Sequence, residues 1–125
     1  MNDHFHNKIA LLLFCLLFLA AGCGKNKAPE PLALDQIPAA VEKAFSKAKP
    51  EIKNLAKQAV ATIQSKDYTT ALLQLQNLSA VPQLTAEQLS VATRSLLTVN
   101  AQMQAAASQG DAQAAEVLKM RTMSK

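Results

Sequence analysis

Histidine and cysteine are scarce in this 125-residue chain, with two of each, and from Cys23 onward there is no histidine and no second cysteine. Ser-His-Asp and Cys-His catalysis lose an obligatory member in that stretch. Zinc sites of imidazole and thiolate are excluded there, and so is an intramolecular disulfide. Aromatics are almost as rare: beyond residue 22 only Phe45 and Tyr68 remain, and tryptophan is absent. No segment sustains the alternation of a strand. Paired carboxylates for acid–base work need two acids that converge. Here the acids are spread singly, and Asp67 and Asp111 stand where helix N-caps are needed. These absences predict a non-enzymatic protein with no metal and no dissociable cofactor.

Long apolar runs are also lacking, with one exception. Ile9 to Ala21 is thirteen residues without a polar side chain apart from Cys15. As a helix it would rise about 20 Å, short of the roughly 30 Å hydrocarbon layer. It follows Met1, His4, His6 and Lys8 and runs into the small residues Ala20, Ala21 and Gly22. That order predicts an export signal over residues 1–22, removed from the working protein. His4, His6 and Cys15 leave with it. The net charge of +4 survives, because Lys8 and Asp3 depart together.

Leu19-Ala20-Ala21-Gly22-Cys23 resembles the lipobox of bacterial lipoproteins, with Ala20 standing where leucine is usual. The resemblance implies cleavage between Gly22 and Cys23, a diacylglycerol on the Cys23 sulfur and an N-acyl chain on the new terminus. It implies a membrane-lipid partner held through Cys23. Gly24, in place of the aspartate that favours inner-membrane retention in the family, points to an outer membrane and its periplasmic face.

Residues 23–38 contain Pro29, Pro31 and Pro38 without helical periodicity, which predicts an extended spacer. Its fully stretched reach is about 50 Å. Residues 39–125 then read as an all-α domain of four to five helices in antiparallel hairpins. Val41, Phe45, Ala48, Ile52, Leu55, Ala59 and Ile63 make one stripe, interrupted by Pro50, which must kink the helix or start a second one. Asp67 caps a short helix with Ala71, Leu72, Leu75 and Leu78 inward. Thr85 and Gln88 fit a capping box ahead of a stripe of Leu89, Ala92, Leu96, Val99, Met103 and Ala106. Gly110 and Asp111 predict a stop and a new cap, followed by a last helix over Ala112–Met123 carrying Ala115 and Leu118.

Lys66-Asp67-Tyr68-Thr69-Thr70-Ala71 lines up with Gly110-Asp111-Ala112-Gln113-Ala114-Ala115. With Ala59, Leu75, Leu78 and Pro82, the first copy resembles the turn and second helix of a tetratricopeptide repeat. The resemblance implies paired helices and a binding or scaffold role. The second copy follows 44 residues later and lacks the tyrosine. Tyr68 reads as a packing residue at the hairpin turn.

Lys43, Lys47, Lys53 and Lys57 lie opposite the first stripe and are the candidates for contact with an anionic surface, where each basic residue contributes about 1 kcal/mol. That face has no arginine and no interleaved aromatics, so nucleic acid is not expected as a partner. A domain this small and aromatic-poor suggests further packing on a protein partner or a second copy. Lys125 gives an alternative. Small outer-membrane lipoproteins of the Braun type, which this sequence resembles in style and in its last residue, are joined to peptidoglycan through a C-terminal lysine.

Overall fold

The computed structural model describes residues 27–124; the expected signal over 1–22, the cleavage residues Gly22 and Cys23, and Lys125 lie outside the described residues. The described chain is helical and contains no strand. A short 3-10 turn at Leu34–Gln36 leads into α1 (Ile37–Phe45), followed by α2 (Pro50–Gln64), α3 (Tyr68–Ser79), α4 (Ala86–Ser108) and α5 (Ala112–Met123). No described helix is long and apolar enough to cross a membrane.

Pro50 breaks the first helical stretch and does not kink it. It occupies the first position of α2, where its missing N–H is not needed, and the chain turns through Ser46–Lys49. The break resets the helical phase. Val41 and Phe45 are buried on α1, while α2 buries Ala56, Ala59 and Ile63 and leaves Ile52 and Leu55 half-covered. On α3 the expected residues Ala71, Leu72, Leu75 and Leu78 are all fully enclosed.

The turns between helices explain the internal repetition. At the end of α2, Lys66 N–H donates to Ile63 O and Asp67 N–H to Thr62 O, with Lys66 at φ +62°. At the end of α4, Gly110 N–H donates to Ala107 O and Asp111 N–H to Ala106 O, with Gly110 at φ +97°. Both are Schellman turns, in which a left-handed residue lets the chain close the orphaned carbonyls. In each, the next residue is an aspartate that caps the following helix. Asp67 Oδ1 accepts from Thr70 N–H at 3.1 Å, and Asp111 Oδ1 from Gln113 and Ala114 N–H at 3.0 and 3.1 Å. The connection between α3 and α4 turns differently, through Pro82 and a left-handed Gln83 at φ +65°.

Such short connections place consecutive helices side by side in opposite directions. α2 packs on α1 and α3, α3 on α4, and α1 closes the ring by packing on α4. α5 packs outside, on α4. The hairpins therefore do not stack edge to edge as a repeat array would, because α1 stands between α2 and α4. One end of the bundle carries the Ser46–Lys49 turn, the α3–α4 loop and the start of α4. The other carries the Lys66 turn and the end of α4.

Three expectations are corrected. The spacer does not run free to Pro38. Leu32 is buried and Ile37 fully so, and Thr98 Oγ1 on α4 donates to Leu32 O. Leu32 N–H donates to Arg94 O at 3.4 Å and Arg94 Nε to Glu30 O at 2.7 Å. The prolines fix an extended path, and that path lies along α4. The inward face of α4 is also rotated from the expected stripe: Gln88, Ala92, Ser95, Thr98, Val99 and Met103 are buried, while Leu89 is 45% exposed. α4 has three helical neighbours and this extended strap, so polar residues with local or cross-chain partners are enclosed on it. On α5 it is Ala114 that is buried and Ala115 that is exposed, because only one side of that helix meets α4.

Candidate functional site

The starts of α3, α4 and α5 are each held by a side chain, whereas α1 and α2 begin with a proline in their first two positions, and one of the side-chain caps holds more than its own helix. Thr85 Oγ1 accepts from Gln88 N–H at 3.1 Å, and Gln88 Oε1 accepts from Thr85 N–H at 3.0 Å. The remaining Gln88 amide donates through Nε2 to Ala44 O at 3.2 Å. That carbonyl is orphaned by the end of α1, so one glutamine satisfies the start of α4 and the end of α1 together. Sequence reasoning finds Gln88 as a cap and misses this second bond, which spans 44 residues. Arg94 and Thr98, the two residues that grip the Glu30–Leu32 strap, are missed altogether. The available signal was their polarity on the side of α4 that also carries Val91.

The lysine candidates separate in space. Lys43, Lys47 and Lys57 are exposed. Lys53 is half-buried, and its Nζ donates to Ser46 O at 3.2 Å, where it neutralises the carbonyl end of α1. A groove of about 450 Å³ runs between α1 and α2. Val41, Phe45, Ala56 and Val60 give it apolar walls, and Glu42, Lys53, Lys57 and Gln64 surround them. Lys53 and Lys57 thus border one groove, which Lys43 and Lys47 do not line. Lys47 instead shares the exposed Ser46–Lys49 turn with Lys49.

The remaining candidates fall into structural roles. Tyr68 is half-buried against the core at the first position of α3, beside the Asp67 cap. The Asp67 carboxyl is held below its ordinary value by hydrogen bonds from the Thr70 side chain and then the Thr70 backbone, with a small opposing effect of burial. Met103 is enclosed, whereas Met120 and Met123 are 55% and 76% exposed. Arg121 Nη1 donates to Asn100 Oδ1 at 2.7 Å and ties α5 to α4. Among the described residues no three His, Cys, Asp or Glu side chains gather as a metal site.

The arrangement offers helix faces, a groove and a strapped N-terminal segment, on which the exposed Lys27 and Glu30 side chains pair at 3.9 Å. No protein family, no curated protein and no solved structure was found to match the chain.

Proposed function

We propose that this is a lipid-anchored protein of the bacterial cell envelope, in which Cys23 carries the acyl chains and the helical bundle serves as a non-catalytic binding or scaffold module. The observation that carries this reading is Leu19-Ala20-Ala21-Gly22-Cys23 placed where the Ile9–Ala21 apolar run ends. A diacylglycerol thioether together with an N-acyl chain supplies the two or more chains that stable anchoring requires. Gly24 favours the outer membrane, with the bundle facing the periplasm. An oxidising compartment suits a chain whose single remaining thiol is consumed by lipid. The absence of histidine beyond residue 6 supports a role in binding over catalysis.

Metabolic labelling with an alkyne fatty acid tests the reading directly. Label is expected on the protein, with a mass on the processed chain that begins at Cys23. A Cys23→Ala variant is expected to carry none, and label retained on that variant rejects the anchor.

A further inference from the structure

The anchoring reading leaves open how the bundle stands on the membrane, and the strap along α4 answers it. Glu30–Leu32 is fixed by Arg94 Nε, Arg94 O and Thr98 Oγ1. Ahead of it, Lys27, Ala28 and Pro29 line a shallow hollow with Ser90 and Arg94, one turn from the start of α4. From Glu30 to Leu32 the chain advances along α4 from Arg94 towards Thr98, so followed backwards it leaves the bundle at the Ser46–Lys49 end. Only Gly24–Asn26 then separate the acylated Cys23 from Lys27, which is four residues along the chain. Four residues reach at most about 14 Å. Ser108, at the other end of α4, lies about 27 Å along the helix from Ser90.

Resting on the anchoring reading, we propose that the bundle meets a lipid headgroup surface with one defined end, the end formed by the Ser46–Lys49 turn and the α3–α4 loop. Chain length biases this orientation: with the strap docked, the bundle cannot stand on its opposite end, which lies farther from Lys27 than the leash reaches. Lys47 and Lys49 are exposed on the membrane-side turn and favour anionic headgroups. Glu51 and Glu87 are exposed at the same end, so the lysines assist the orientation and do not impose it. The Lys66 turn and the last turns of α4 then face away from the membrane.

Two properties of the chain make the test simple. It has no tryptophan, and Cys23 is the only thiol beyond the signal. The described core residues run from Leu32 to Ala114, so a chain beginning at Cys23 contains all of them. This chain is coupled through Cys23 to a maleimide lipid in vesicles of phosphatidylcholine and phosphatidylglycerol that contain a headgroup nitroxide. Single tryptophans are introduced as Ala80→Trp, at the membrane-side end, and Ser108→Trp, at the opposite end. Circular dichroism checks that both retain the helices. Strong nitroxide quenching of Ala80→Trp and none of Ser108→Trp is expected. Equal quenching of the two, or the reverse order, overturns the orientation. Adding Arg94→Ala and Thr98→Val to Ala80→Trp releases the strap and is expected to reduce quenching; unchanged quenching overturns the strap's role. Coupling is chemical in every case, so these outcomes do not depend on whether cells acylate Cys23. Fatty-acid labelling decides that question separately.

Discussion

Lys66 and Gly110 occupy the same position of the same turn, and only one of them is suited to it. A side chain in the left-handed region costs about 1–2 kcal/mol, which glycine avoids. A Cβ at Gly110 meets no atom within 4 Å, so conformation alone governs substitution there. Gly110→Ala is expected to lower stability by about 1 kcal/mol in urea unfolding. Lys66→Gly removes the same strain but adds freedom to the unfolded chain, and a net gain of about 0.5 kcal/mol is expected. Asp67 makes a second prediction at this scale. Asp67→Ala is expected to cost about 1 kcal/mol, and Asp67→Asn, which keeps an acceptor, much less. The two also differ with pH. Because the folded Asp67 carboxyl titrates below its ordinary 3.8, the unfolded chain takes the proton first as pH falls. The contribution is complete above that value and is lost as pH falls through the lowered folded value. Acid titration of unfolding free energy should therefore narrow the gap between the native protein and Asp67→Asn.

At the scale of elements, the legible parts of the sequence were those whose signals are local. The Asp67 and Asp111 caps, the Thr85–Gln88 box and Gly110 each act within four residues, and the last three helices begin where those residues stand. The Lys66/Gly110 alignment was visible as well, because it records one turn used twice. What the sequence concealed depends on partners far along the chain. The strap is held by residues 64 and 66 positions away, and proline-rich composition looks the same whether a segment is docked or free. The Pro50 break was ambiguous for a different reason: the apolar spacing runs in phase across a turn that the folded chain uses to change direction. Of the candidate site, the four lysines were legible, but their division between groove, helix end and turn was not. Gln88 offers a test at this scale. Gln88→Ala leaves Ala44 O and Thr85 N–H without these partners, and a loss of about 1–3 kcal/mol is expected in chemical unfolding. Thr98→Val keeps the volume and strands the Leu32 carbonyl, so faster amide exchange over residues 30–37 is expected, with α3 protected as before.

At the scale of the whole molecule, the described residues form a ring of four helices with a fifth attached, and the two parts should respond differently to loss. α5 has Ala114 as its one buried residue and packs mainly on α4. Ending the chain after Gly110 is expected to lower the Tm yet leave a cooperative transition by circular dichroism. Phe45 is the bulkiest fully enclosed side chain and sits on α1, which joins α2 to α4. Phe45→Ala is expected to cost about 3–5 kcal/mol. For a domain whose total stability is on the order of 5–15 kcal/mol, that is enough to unfold much of the population under mild denaturant.

Tension applied to the N-terminal end would be carried along α4 and not across it. The strap lies lengthwise on that helix, so the bonds from Arg94 and Thr98 are loaded in shear and share the force, while the four-helix ring behind them carries little. A steady pull would detach residues 27–36 together and lengthen the leash before any core helix yields. In a force-extension trace this appears as a small early step ahead of the main rupture, and Thr98→Val should lower the force of the first step only.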